Sequence, residues 1–381
     1  MNRLKSQLKP GNSLTTVSIL PYYHVQNIRT EFRLNPNQDY ISDLRLVDVQ
    51  SGAHGRYAHN AGAWALIKNI YLYDGNVLVD SCPMASRVAS TKLMAHENRV
   101  NKNLNHYLVN HHWTFYNRKD GNGRTVIFQA PDERFGDEEA RLELGMVLNF
   151  LKTVQTFKFK EPRLVIEWNT DPNDVYIFTD VGNAVNIPKP TLLIDQINGP
   201  PLAKQNVVYW SWETDRLTMP DNVDKNKYRI QGFDRKRVGR MMIWNNAPNN
   251  GRNNLQRGNV SYAYNGENIQ FFDDSSPILP VPMDETNFQR YWEDAFGSQN
   301  YPLLANLYAI PNADRFQDVN VAYSNANNSW KCLDLSGKEV KRLEIEYQRL
   351  VAGNVFTQYY VAEVAKQLSF DSEGNAVVKN L

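Results

Sequence analysis

Two stretches half a chain apart share one local pattern, and this constrains the fold more than any other feature. Tyr71-Leu72-Tyr73-Asp74-Gly75 returns as Tyr262-Ala263-Tyr264-Asn265-Gly266. Each copy continues through a short apolar strand to an Asp-Ser-x-Pro, Asp80-Ser81-Cys82-Pro83 and Asp274-Ser275-Ser276-Pro277. Asp-Gly and Asn-Gly supply the positive-φ residues that a two-residue hairpin turn requires, so Asp74, Gly75, Asn265 and Gly266 mark strand-turn-strand units. A helical pattern follows the proline in both copies. Tyrosine strands with Asx-Gly turns are common. Turn, Asp-Ser-x-Pro and helix recurring in one order is what argues for two related β-modules in tandem.

A chain of 381 residues is comfortable for two domains. Its net charge of +1 excludes the strongly basic balance of a dedicated nucleic-acid coat and the acidity of a disordered scaffold. The 20 Tyr, 16 Phe and 8 Trp suit strands and buried sheet faces. Cys82 and Cys332 are too few for a disulfide framework and read better as free thiols. No apolar core with a cleavage site opens the chain, and no run approaches the roughly 18 apolar residues of a membrane span, so a chain soluble when made is expected.

Residues 1–30 read as an arm. Arg3, Lys5 and Lys9 alternate with Leu4 and Leu8 before Pro10-Gly11, a pattern that suits contact with a membrane surface or a neighbouring subunit, or else a frayed terminus. Strand patterns begin at Glu31. Apolar positions from Ala85 to Leu108 have mostly helical spacing, and Trp113–Tyr116 with Thr125–Phe128 flank a further Gly-rich turn. Leu144, Val147, Leu148, Leu151 and Val154 share one face of a helix over 137–154 with Asp137 as N-cap. Val175–Phe178 reads as strand. Ile187-Pro188-Lys189-Pro190 is the best joint, which gives an arm (1–30), a first module (31–187) and a second (188–381). In the second module Asp284 caps a helix over 284–296 that stops at Gly297, and the remainder alternates strands with long polar loops.

Catalytic signatures are absent: no phosphate-binding Gly-rich loop, no His-Glu-x-x-His, no Gly-x-Ser-x-Gly, no Cys-x-x-Cys. His54, His59, His106, His111 and His112 lack the fixed spacing of a metal site, and neighbours on a strand face apart. Asp171, Asn173 and Asp174 fit a turn with Asx caps better than a calcium loop. The basic stretch from Lys225 through Arg235, Lys236, Arg237 and Arg240 suits an interface or phosphate contact. The interspersed Asp221, Asp224 and Asp234 suit a solvated or acid-paired surface instead.

Two tandem β-modules, each with a Tyr-rich strand turning through Asx-Gly and then entering a helix, resemble the double jelly-roll major capsid proteins of tailless icosahedral DNA viruses, the adenovirus and tectivirus lineage. The resemblance is architectural and spans about Glu31 to Phe370. It implies a mainly β fold of two tandem eight-stranded antiparallel jelly-roll sandwiches with short inserted helices. It also implies homotrimeric, pseudo-hexagonal capsomers in the virion, made and assembled inside the host cell. Penton and minor capsid proteins would be neighbours, an internal lipid membrane stays open, and no cofactor, catalysis or sequence-specific nucleic-acid binding is implied. A vertex (penton) or minor capsid protein built on one jelly roll is an alternative. A carbohydrate-binding or glycan-degrading β-sandwich is another, in which Trp210 and Trp212, two apart on one strand, could stack a sugar.

Overall fold

The computed structural model describes residues 8–55, 57, 62–96, 114–119, 125–130, 139–176, 182–222, 224–245, 267–284, 286–297, 331–349 and 355–381. The first half contains β1 (Ser13–Ile19), β2 (Tyr23–Val25), β3 (Arg29–Arg33), β4 (Asp39–Ile41), β5 (Arg45–Val49), β6 (Ile67–Asp74), β7 (Val77–Pro83), α1 (Ala85–His96), β8 (Thr114–Lys119), β9 (Thr125–Ala130), β10 (Ala140–Glu143), α2 (Asn149–Thr153), β11 (Thr156–Lys158), β12 (Pro162–Trp168), the single turn α3 (Pro172–Val175) and β13 (Thr191–Asn198). The second contains β14 (Val207–Met219), β15 (Asn226–Arg229), β16 (Lys236–Asn245), β17 (Asn268–Asp273), β18 (Ser276–Pro277), β19 (Met283–Asp284), α4 (Phe288–Phe296), β20 (Lys331–Val340), β21 (Leu343–Gln348), β22 (Phe356–Phe370) and β23 (Ala376–Asn380).

The pairing of these strands shows the duplication directly. Eight principal strands in the first half, β1, β3, β5, β6, β7, β10, β12 and β13, form one sheet ordered β1-β13-β5-β10 and another ordered β3-β12-β6-β7. In the second half β14, β15, β16, β17, β18, β20, β21 and β22 form β14-β22-β16-β20 and β15-β21-β17-β18. Both halves therefore follow the order first-eighth-third-sixth and second-seventh-fourth-fifth. That is a jelly roll twice over, with antiparallel pairing throughout. The short strands β2, β4, β11, β19 and β23 extend the sheets, and β8 pairs with β9 as a separate hairpin.

Alternation along the strands explains why the sheets stack. On β6 Ile67, Ile70, Leu72 and Asp74 are buried while Lys68, Asn69, Tyr71 and Tyr73 are more exposed. Phe32, Leu164 and Ile166 of the same sheet join Leu46, Leu142, Leu192 and Ile194 of the facing sheet in one apolar core. The second half fills its core with Trp212, Trp244, Trp292, Phe271, Ile345 and Tyr360.

Several sequence expectations shift. Residues 13–25 are not a free arm, because β1 pairs with β13 and β2 with β3. β13 hydrogen-bonds to β1, β4 and β5, so Ile187–Pro190 precedes the last strand of the first sandwich and the passage to the second lies at 199–206. The helix expected over 137–154 is β10, a 3-10 turn (Leu144–Met146) and α2, with Asp137 outside the described residues. Its leucine spacing reflects three short elements that each bury a few apolar side chains. Of the strand expected at Val175–Phe178, Val175 instead ends α3 and Tyr176 makes an isolated bridge to Tyr57, while Ile177 and Phe178 lie outside the described residues. Asp171 caps α3 by accepting from the Asn173 N–H at 2.9 Å, as an Asx cap should. α4 begins at Phe288 with Asn287 at its N-cap position, while the Asp284 carboxylate accepts from the Thr286 N–H at 2.8 Å. Gly297 ends α4 in the left-handed region, as expected.

The repeated motif does not occupy equivalent places. The fourth and fifth strands of the first sandwich meet at Gly75-Asn76, with Asp74 paired to Val77. Their counterparts meet at Asp274-Ser275, which takes φ of +48° and +72°. Asp80-Ser81 lies inside β7, whereas Asp274-Ser275 is the turn itself, and Tyr262–Gly266 falls outside the described residues. Gly75 does carry the expected positive φ, +57°. A β-carbon there would meet only Glu161 Oε2 at 3.8 Å. Gly75→Ala is therefore expected to cost about 1–2 kcal/mol, all of it conformational, measurable as a lower urea midpoint with an unchanged slope.

Candidate assembly site: the seam between the sandwiches

β7 is an edge strand of the first sandwich and β14 an edge strand of the second, and the two sandwiches dock along them. The Tyr209 hydroxyl donates to Val79 O, and the Ser81 hydroxyl donates to Trp212 O at 3.3 Å. The Phe150 and Tyr209 rings meet edge-on at 5.2 Å between centroids. Arg87 lies 5.5 Å from the Trp244 ring and 5.2 Å from the Tyr359 ring. Phe150, Phe157, Phe159 and Phe370 continue the apolar contact at one end.

A polar cluster sits inside this seam. Asp80 is fully buried; its carboxylate accepts from the Phe150 N–H at 2.8 Å and from the Ser81 N–H at 2.8 Å. It thus serves the first turn of α2, whose N-cap position is Leu148 and has no side-chain acceptor of its own. Lys92 of α1 is buried and donates to Met146 O at 2.8 Å and to Asn149 Oδ1 at 2.9 Å. Asn149 Nδ2 donates to Glu363 Oε1 at 3.3 Å across the seam. Glu363 in turn accepts a two-pronged grip from Arg240, Nε to Oε2 at 2.8 Å and Nη2 to Oε1 at 2.6 Å.

Burial dominates the electrostatics. It pulls the Lys92 ammonium down to about 8, against the nearby Glu363 charge, and pushes the Cys82 and Tyr209 groups up. It raises the Asp80 carboxyl from 3.8 to about 6, opposed by the Phe150 N–H. With the folded value above the unfolded one, protonation of Asp80 favours the folded chain. The contribution is complete below about pH 4 and is lost as pH rises through about 6. Relative to Asp80→Asn, the wild type is expected to lose roughly 3 kcal/mol of stability over that window, read from urea midpoints at pH 4 to 7.

The residues singled out from sequence lie elsewhere. Asp74 ends β6 and Gly75 opens the β6–β7 turn, and the Asp74 carboxylate accepts from the Glu161 N–H at 2.7 Å. Lys9 Nζ donates to Pro201 O at 2.8 Å, tying the N-terminal segment to the passage between sandwiches. Arg3, Lys5, Asn265 and Gly266 lie outside the described residues. The basic stretch divides. Lys236 is held by Glu213 at 2.6 Å, and Lys225, Lys227 and Arg229 pair with Glu346, Glu344 and Asp234 at 2.6, 2.8 and 2.5 Å. Arg235 and Arg237 are exposed. Trp212 is buried, and Trp210 packs against the glycine positions 239 and 337, where added β-carbons would meet its ring at 3.4 and 3.2 Å. Neither forms an open sugar platform. Among the described residues no group of three or more His, Cys, Asp or Glu could hold a metal ion. The seam cluster has no local sequence signal beyond single charges in apolar runs, Asp80 after Val77-Leu78-Val79 and Glu363 between Ala362 and Val364.

Two jelly rolls in one chain, docked through an internal seam, define the double jelly-roll fold. No family model and no curated protein sequence matches the chain. Among solved structures it is similar to the PBCV-1 virus capsid protein, with TM-score 0.58 at 10% identity over 97% of both chains. It is also similar to the Faustovirus major capsid protein (TM-score 0.56, 8% identity, 94% of this chain and 91% of that one) and to the mavirus major capsid protein (TM-score 0.53, 10% identity, 96% and 90%). At such identities the likeness is one of fold, and it extends over nearly the whole of each chain.

Proposed function

We propose that this chain is a viral structural protein, a major capsid protein whose homotrimers form pseudo-hexagonal capsomers tiling an icosahedral shell. The observation that carries this reading is the same eight-strand order occurring twice in one chain. Three chains then present six similar sandwiches, which suits a hexagonal lattice site. The first jelly roll spans 13–198 and the second 207–381. Neighbouring capsomers, penton and minor capsid proteins are the partners, the virion is its place, and its work is assembly rather than catalysis. A vertex protein needs one jelly roll per chain, and the second is superfluous to it.

A surface for self-association is present. Leu20, Tyr22, Tyr23 and Ile28 are 73%, 65%, 49% and 64% exposed beside the edge strand β2, and Arg33 lies 3.7 Å over the Tyr22 ring. Apolar side chains grouped at an unpaired edge suit burial against another copy. Light scattering on the purified protein is expected to give about three times the 43.9 kDa chain mass. Leu20→Asp with Ile28→Asp is expected to shift that mass toward one chain while leaving the circular dichroism of the sandwiches intact. A wild-type monomer or pentamer would count against the trimer.

A further inference from the structure

A buried lysine, a carboxamide and a carboxylate stand in a row inside the seam. Lys92 Nζ lies 2.9 Å from Asn149 Oδ1, and Asn149 Nδ2 lies 3.3 Å from Glu363 Oε1. All three side chains are almost wholly buried, and the Trp212 ring lies 5.0 Å from the Lys92 nitrogen. An ammonium that must be buried is ordinarily matched by a carboxylate, as Lys331 is matched by Glu267 in the second sandwich. Lys92 instead donates to a carboxamide and a backbone carbonyl, with the carboxylate on the far side of the carboxamide.

We propose that Lys92 and Asn149 join in an intramolecular isopeptide bond, with Glu363 of the second sandwich carrying the proton. The free Lys92 amine attacks Asn149 Cγ and forms the new C–N bond. In the resulting adduct both nitrogens are bonded to Cγ, so the Glu363 carboxylate, which already accepts from Nδ2, takes a proton from the attacking nitrogen and delivers it to Nδ2. The Cγ–Nδ2 bond then breaks, and nitrogen leaves as ammonia. One amine and one primary amide become one secondary amide and ammonia, with no oxidation or reduction.

Three requirements of this step, a free amine, a held nucleophile and a placed proton carrier, are met by described features. Burial holds the Lys92 ammonium near 8, so about a tenth of it is free amine at neutral pH. Met146 O and Asn149 Oδ1 fix the nitrogen beside its target, which removes the entropic cost of encounter. The Arg240 grip holds Glu363 on the side of the leaving nitrogen. Because the proton carrier belongs to the other sandwich, the bond closes only once the two sandwiches have docked. It then ties α1 to α2 across 57 positions of sequence.

The test is the intact mass of the full-length protein under denaturing conditions, followed by peptide mapping. The expected mass is below the sequence mass by one ammonia, with a branched peptide joining Lys92 to Asn149. Lys92→Met, Asn149→Ala and Glu363→Gln are each expected to restore the full mass expected for the variant. A wild-type mass equal to the sequence mass overturns the proposal, whatever the variants do. So does a loss of ammonia mapped elsewhere, as at Asn265-Gly266, where a succinimide would give the same mass change. A folded Glu363→Gln protein that still cross-links removes Glu363 from the step. The oligomeric state is read separately, so neither result depends on the other.

Discussion

Trp212→Ala is expected to destabilise the protein by about 3–5 kcal/mol, the cost of removing a large buried aromatic from a packed core. Trp212 is fully buried on β14, its carbonyl accepts from Ser81 of the first sandwich, and its ring faces Lys92. The cavity would open at the seam, where both sandwiches would feel it. Urea unfolding followed by tryptophan emission and by circular dichroism is the measurement, with the two probes moving together to a lower midpoint. Trp212→Phe should retain most of the stability, because the indole N–H finds no acceptor among the described residues. A change below about 1 kcal/mol for the alanine variant would mean that the sandwiches do not share a packed interface.

Glu363→Ala is the second large effect, expected at about 2–3 kcal/mol, because it removes the buried carboxylate that accepts both bonds of the half-buried Arg240. Arg240 would lose both of its 2.8 and 2.6 Å bonds, and Asn149 Nδ2 would lose its acceptor. Double substitution of Glu363 and Arg240 by Leu and Met should recover part of the loss, since neither charge is then left uncompensated. Thermal unfolding of the two single variants and the double variant separates the cost of the orphaned charge from the worth of the pair.

Much of the architecture was legible because strands and caps leave local marks. The helix after Pro83 and the one ending at Gly297 are both present as α1 and α4, each following the fifth strand of its sandwich. Strands do occur at 331–340, 343–348 and 356–370, within the stretch after Gly297 that reads as strands alternating with polar loops. The repeated motif that points to duplication is itself out of register between the two sandwiches. Asp74-Gly75 borders the turn between the fourth and fifth strands, yet its structural counterpart is Asp274-Ser275 and not Asn265-Gly266. Turn chemistry repeats wherever a sheet reverses, so likeness between two turns does not align two domains.

Other failures share one cause. Ile187–Pro190 looked like a joint because Pro disrupts strands locally, but membership of β13 in the first sandwich is decided by partners at Val17, Tyr40 and Leu46, far away in sequence. The leucines from 144 to 154 have helical spacing, although the chain divides them between a 3-10 turn and a short helix. The seam cluster was invisible for the same reason. Asp80 reaches Phe150 across 70 positions, and Asn149 reaches Glu363 across 214. Only the closed topology brings them together.

Electron microscopy of the purified oligomer tests the central claim most directly. Averages viewed down the symmetry axis should display three-fold particles with six similar lobes, two contributed by each chain. Five-fold particles, or a single lobe per chain, would contradict it.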